Sequence, residues 1–202
     1  MTIALTPSMS MARRTAESGR LRAMPQARRK TLRDLYRLPP ETRAELIDGE
    51  IHMPPAPNAD HQDATGALYA ALRSFAKRHG GKTMIAPYDV LLPTRSVVEP
   101  DVLYVRPSQV RLVGRRFEGV PDLVVEVISP GSRGRDGLLK RRLYERNGVP
   151  EYWIVDPIGR SVTVLVLRRR RYETAAIVGE GERLVSRRLK GFAIAVKKVF
   201  EG

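Results

Sequence analysis

The segment Pro121–Asp156, PDLVVEVISPGSRGRDGLLKRRLYERNGVPEYWIVD, holds two apolar runs on either side of one amphipathic pattern. Leu123 to Ile128 is apolar except for Glu126, and Glu151 to Asp156 is rich in aromatic and β-branched residues. Between them a Ser/Gly/Pro loop leads into a helical pattern over 135–146 that carries Leu138, Leu139, Leu143 and Tyr144. Asn147-Gly148 closes it. The order is strand, loop, helix, turn, strand. An unpaired carboxylate inside the first strand would cost several kcal/mol. Glu126 is tolerable there beside a metal, a lysine or a cleft, and the following helix offers Lys140.

Toward the N-terminus, Val97 to Val105 reads as one strand, with Asp101, Leu103 and Val105 on one face and Val102 and Tyr104 on the other. Residues 83–92 read as a strand interrupted at Pro87, and 106–120 as a polar, basic connection. Ala64, Ala67, Leu68, Ala71, Leu72 and Phe75 recur at three- and four-residue steps, which predicts a helix from about Asp60 to Arg78, ended by Gly80-Gly81. Asp48-Gly49 between short apolar runs predicts a hairpin, with Glu45 on its first arm and Glu50 on its second. Thr31 to Tyr36 predicts a short capped helix. Toward the C-terminus, Ser161 to Leu167 alternates and pairs back on Glu151–Asp156, and Arg168 to Arg171 ends that strand at a hairpin tip where alternate arginines face opposite sides. Tyr152 and Trp153 place one ring in the core and the other at a partly exposed contact. The expected fold is α/β, a central mixed sheet flanked by helices, with an N-terminal hairpin and a C-terminal β extension. Residues 1–28 read as a disordered basic leader or a misplaced start, and 29–202 as a single domain.

The chain has 202 residues and no cysteine, which removes disulfides, thiol nucleophiles and zinc–thiolate sites and agrees with a reducing, cytoplasmic setting. No apolar run reaches about 18 residues, so no membrane span is expected. Net charge is +14, from 36 Lys+Arg against 22 Asp+Glu, and seven of those basic residues fall in the first thirty positions. That balance suits a polyanionic partner, with an arginine-rich solvated surface as the competing reading. Neither GxGxxG, GxxxxGK[ST] nor GxSxG occurs.

Asp101 and Glu126 are the carboxylates placed for chemistry. On neighbouring strands both would face one cleft, and hard oxygen ligands with open positions suit Mg²⁺ or Mn²⁺. Lys140 would position a water and stabilise charge on a phosphorane. Each has a plainer reading. Asp101 after Pro100 suits a turn cap, and Glu126 suits an ion pair with a structural arginine. Lys140 suits a surface pair with Asp136, worth a few tenths of a kcal/mol. His61, at a helix start in Asn58-x-Asp60-His61-Gln62, reads first as a cap or loop contact. Asp89 either braces the cleft or shapes a turn, and His52 and His79 read as surface residues.

The strings AELIDGEI (44–51), PYDVLL (87–92), EPDVLYV (99–105), PDLVVEVISP (121–130), Asp136-x3-Lys140-x3-Tyr144 and GVPEYWIVDP (148–157) together resemble the Uma-two family, over about residues 30–170. This is a bacterial restriction-endonuclease group in the PD-(D/E)XK superfamily. The resemblance implies a restriction-endonuclease-like fold, a Mg²⁺-type site and phosphodiester hydrolysis. It implies Asp101 and Glu126 as metal ligands, with the backbone carbonyl of Val127 as a third. The superfamily's lysine would fall at Ile128, a departure that Lys140 makes good if its helix points it back at Glu126. Glu45 matches an acidic position of the family that binds or orients metal; an exposed strand residue is the alternative.

The leading expectation is therefore a Mg²⁺- or Mn²⁺-dependent DNA endonuclease, with a homodimer left open. The competing one is a catalytically inactive module of the same fold that binds nucleic acid or a protein. A basic protein acting by charge alone stands third.

Overall fold

The computed structural model describes residues 28–129 and 135–201, with 135 and 136 described as backbone alone. The expected leader therefore lies outside the described residues except for Arg28. So do most of the Ser/Gly/Pro loop after Ile128 and the side chain of Asp136, the alternative partner of Lys140.

Thr31 caps a one-turn helix, α1 (Leu32–Leu35), through a capping box with Asp34. Strands β1 (Glu45–Ile47) and β2 (Glu50–His52) form the expected hairpin, with Asp48 and Gly49 both at positive φ, as a two-residue turn of this hand requires. Helix α2 (Ala59–His79) begins at Asn58, whose side chain accepts from the His61 N–H, and ends at Gly80 in the left-handed conformation. Then come β3 (Lys82–Ile85), β4 (Val90–Leu91), β5 (Val97–Val98), β6 (Val102–Val105), a 3₁₀ turn over Pro107–Leu112 and β7 (Phe117–Glu118). The rest is β8 (Leu123–Val127), α3 (Arg135–Asn147), β9 (Glu151–Asp156), β10 (Ser161–Arg168), β11 (Arg171–Gly179), β12 (Arg183–Val185) and β13 (Ala193–Ala195).

A six-stranded sheet in the order β11-β10-β9-β8-β6-β3 carries the fold, and a five-stranded sheet, β2-β1-β5-β4-β7, packs beside it. The expected N-terminal hairpin is thus the edge of a second sheet, and β12 with β13 completes the C-terminal β extension. In the larger sheet β8 and β9 are parallel and joined by α3, while the other pairs are antiparallel. Both faces of β8 are covered, which is why its sequence is a continuous apolar run rather than an alternating one. On one face Leu123, Val125 and Val127 pack with Trp153 against Ala64, Leu68, Leu72 and Phe75 of α2 and the C-terminal segment. On the other, Val124 and Tyr152 pack with Leu143 and Tyr144 of α3 and with Val90, Val98 and Phe117 of the smaller sheet. Fully burying a side chain such as Leu68 or Leu143 contributes about 1.5–3 kcal/mol.

Four sequence expectations change. Val97–Val105 is two strands in different sheets, because Pro100 has no N–H to donate and the chain crosses there from the smaller sheet to the larger. Tyr152 and Trp153 are both fully buried, one in each core, because the sheet has no solvent face at β9. Leu138 is 49% exposed and turns away from the core that holds Leu143. Arg169 and Arg170, both at positive φ, are the turn itself between the register partners Arg168 and Arg171, so strand alternation does not govern them.

Candidate active site

The break at Pro100 builds the site. It leaves Asp101 at the seam between the sheets, just before β6, with its carbonyl accepting the Ala86 N–H. β8 lies beside β6 and runs past its end. The N–H of Val127, with no residue of β6 opposite, donates to Asp101 Oδ2 at 2.8 Å. N–H and C=O of one strand residue leave on the same side. The Val127 carbonyl therefore points past the end of β6 as well, beside the Asp101 carboxylate, and Val127 lines the cleft.

Further side chains converge from distant segments. Glu45, the first residue of β1, is buried rather than exposed, and its Oε1 accepts from the Glu99 N–H at 2.7 Å. The Lys140 ammonium donates to that same oxygen at 2.6 Å and to Glu126 Oε1 at 3.1 Å. Tyr144, one turn further along α3, donates its hydroxyl to Glu126 Oε1 at 2.5 Å. Lys140 and Tyr144 reach one carboxylate because residues four apart share a helix face. His61 Nε2 stands 3.2 Å from Asp101 Oδ2, and its Nδ1 lies 3.4 Å from the buried Thr65 hydroxyl. Arg43 Nε donates to Glu99 Oε2 at 3.3 Å across the cleft mouth.

The electrostatics follow from the burial of like charges. Burial pushes the Glu126 carboxyl up to about 7; Lys140 opposes this, while Asp101 and Glu45 reinforce it. With 16% of its side chain accessible, Glu126 is nonetheless open to the cleft. Burial alone would lower Lys140, but Glu126 and Glu45 outweigh it and hold the ammonium above its ordinary value. Lys140 is therefore a fixed cation, suited to positioning and charge stabilisation rather than to taking a proton. Burial would also lower His61; the hydrogen bond and charge of Asp101, then the charge of Glu126, outweigh it and raise it. Burial chiefly, then Glu126 and Glu45, raises Tyr144 well above the ordinary phenol, so it is a hydrogen-bond donor here.

The cleft has a volume of about 90 Å³, room for several waters. Among the described residues no three His, Cys, Asp or Glu side chains form a ready-made metal cluster. The donor set nevertheless suits a hard cation that keeps its waters: Asp101, Glu126 and the Val127 carbonyl are all oxygen. The contacts from Val127, Lys140, Tyr144 and His61 fall on Asp101 Oδ2 and Glu126 Oε1. Four carboxylates, Glu45, Glu99, Asp101 and Glu126, stand against Arg43 and Lys140, an excess of negative charge that a divalent ion would offset.

All of the sequence-selected residues, Asp101, Glu126, Lys140, Glu45 and Val127, line this one cleft. His61 joins them through Asp101 rather than serving as a cap. Its backbone is the capped group, and no periodicity could show where its ring points. Tyr144 was legible as the third member of the Asp136-Lys140-Tyr144 spacing. Arg43 and Glu99 carried no signal. Asp89 does not line the cleft; it accepts from the Tyr36 hydroxyl at 3.0 Å, and its carbonyl accepts the Phe117 N–H. His52 lies 4.0 Å from Glu50, and His79 stacks on Phe75.

This architecture occurs in the crystal structure of a protein from Anabaena variabilis described as a putative nuclease belonging to DUF820. That protein is 19% identical, with a TM-score of 0.72 over 84% of this chain and 97% of the other. At that identity the likeness is one of fold. No curated protein matches the sequence. The family described as "putative restriction endonuclease", Uma2, matches residues 31–197, nearly the whole described chain and every residue of the cleft. With that coverage, the chain belongs to the Uma2 family.

Proposed function

We propose that residues 29–202 form one nuclease domain that hydrolyses DNA phosphodiester bonds endonucleolytically in the cytoplasm, with Mg²⁺ or Mn²⁺. The observation that carries this reading is the placement of the Lys140 ammonium between Glu45 and Glu126, within one cleft that also holds Asp101 and Val127. Asp101, Glu126 and the Val127 carbonyl are the groups that would hold the ion, with Glu45 orienting the site through Lys140. A divalent cation there supplies Lewis-acid polarisation of the phosphodiester and a lowered pKa for a bound water. Lys140, cationic and pinned by two carboxylates, positions the attacking water and stabilises the charge that develops on the non-bridging oxygens. Tyr144 fixes the Glu126 carboxylate, and His61 fixes that of Asp101, so neither must reorganise during the reaction.

Nicking of supercoiled plasmid with Mg²⁺, Mn²⁺ or EDTA, beside Asp101→Ala and Glu126→Ala, tests this. Metal-dependent cutting lost in both variants is expected; full activity in either sinks the site assignment. A second reading, a non-cleaving module of the same fold, draws support from Lys140 donating to both Glu45 and Glu126. It predicts no heat on titration with Mn²⁺.

A further inference from the structure

Beside the cleft lies a larger cavity, about 680 Å³, that the proposed reaction does not use. It is walled by Tyr36 at the end of α1, Asp89, and the connection between β6 and β7, which supplies Arg111, Arg115 and Arg116. The connection is pinned. Val113 and Phe117 pack into the core, the Tyr88 hydroxyl donates to the Gly114 carbonyl, and β7 pairs with β4. The arginines are thus presented from a fixed scaffold rather than a free loop.

Tyr36 is unusual for an aromatic ring on this surface. It is 47% exposed yet held on two sides, with its hydroxyl on Asp89 at 3.0 Å and the Arg116 guanidinium over its ring at 5.5 Å. Arg111 and Arg115 are exposed, and neither has an ion-pair partner among the described residues; Arg116 is engaged by Glu118. A rigid, half-open ring beside two uncommitted guanidiniums is what a base and its flanking phosphates need.

One strand pair links the walls of the cavity and the cleft. Val90 and Val98 are register partners; Asp89 precedes the first and Glu99 follows the second. Asp89 of the cavity and Glu99 of the cleft therefore face each other across one strand pair, at the same end of it.

We propose that this cavity is a single-strand DNA subsite. One unpaired base stacks on Tyr36, and the neighbouring phosphates lie on Arg111 and Arg115, so that the cleft receives an unpaired strand. A base within an intact duplex cannot offer its face to the ring. The proposal rests on the nuclease reading for its purpose, but its test does not depend on turnover.

Fluorescence anisotropy of labelled oligothymidine with the full chain in EDTA is the measurement. Beside it run the same strand with abasic sites and the corresponding duplex. The intact strand is expected to bind roughly tenfold more tightly than the abasic one, the scale of one stacked base. Tyr36→Leu should erase that preference and Tyr36→Phe should keep it. Arg111→Ala with Arg115→Ala should lower the salt slope by roughly 1.4, at about 0.7 per phosphate on a single strand. Arg169→Gly with Arg170→Gly removes the same charge at the hairpin tip, where positive φ suits glycine, and should leave binding unchanged. Equal binding of abasic and intact strands overturns the proposal. So does equal weakening by the hairpin-tip pair, which would reduce the effect to net charge. If Tyr36→Leu does not fold, the abasic comparison on the unaltered chain decides. Plasmid nicking separates the two readings. Cutting without base preference removes the subsite and leaves the nuclease; base preference without cutting does the reverse.

Discussion

Lys140 Nζ lies 2.6 Å from Glu45 Oε1, although 95 residues separate the two. The contact joins α3 to the smaller sheet and places a buried cation between two buried carboxylates, since Glu126 is the ammonium's other partner. Removing one member of such a group leaves the others charged and unpaired. Lys140→Ala is therefore expected to destabilise the metal-free protein by about 3–5 kcal/mol at pH 8. It should also cut nicking by about 100-fold or more. Urea unfolding in EDTA and with Mn²⁺ checks the cause, because a divalent ion should return part of the lost stability. No change in the unfolding midpoint would mean that the carboxylates are solvated after all.

Tyr144 gives a smaller and more selective effect. Tyr144→Phe keeps the ring in the core and removes only the hydroxyl that donates to Glu126. A hydrogen bond to a charged acceptor is worth about 1.5–3 kcal/mol. Nicking should fall by roughly tenfold or more while the circular dichroism spectrum stays the same. Retained activity would assign Tyr144 to packing alone.

The His61–Asp101 pair makes stability depend on pH. The pKa of His61 is raised in the fold, so its contribution is fully present below the ordinary value of about 6.5 and is lost as pH rises through the raised value. In EDTA, the loss of melting temperature caused by His61→Ala should be greatest near about pH 6 and shrink toward pH 9. A loss that does not vary with pH would show that the ring acts only by packing.

Divalent ions should stabilise the fold by mass action. At a free Mn²⁺ concentration 100 times Kd, about 2.7 kcal/mol is expected from binding to the native state alone. Asp101→Asn should remove that gain. A gain of the same size in this variant would put the ion somewhere else.

Glu151 provides a contrast outside the cleft lining. It is fully buried, and its carboxylate accepts from Trp153 Nε1, the Ser186 hydroxyl and the N–H groups of Arg187 and Arg188. Those bonds fasten the 186–189 loop to the start of β9. Glu151→Gln turns an amide N–H toward donors and leaves buried groups unsatisfied, at about 1–3 kcal/mol each. Differential scanning calorimetry should show a clear fall in Tm, while nicking well below that Tm persists. Lost nicking with an unchanged Tm would contradict a purely structural role.

The elements were legible where local physics acts alone. The Asp48-Gly49 turn, the α2 periodicity and the apolar runs of β8 and β9 each depend on a few neighbouring residues. Glu126 stood out because a carboxylate inside such a run has to be answered somewhere. Lys140 was legible only as an option, since its spacing fits a surface pair with Asp136 equally well. His61, Arg43 and Glu99 gave no sign of their place, because their partners come from other segments of the chain.

By itself, then, the sequence determined the α/β class, the order of the elements and a short set of carboxylates with one lysine. Those depend on hydrophobic period, turn chemistry and the cost of burying charge, all of which are local. Only the tertiary structure decided that Pro100 divides an apparent strand between two sheets and sets Asp101 against Val127. It also decided that β1 delivers Glu45 to the face of α3 carrying Lys140. Sheet register and the crossing between sheets are long-range, and no stretch of residues encodes them without the partner strand beside it.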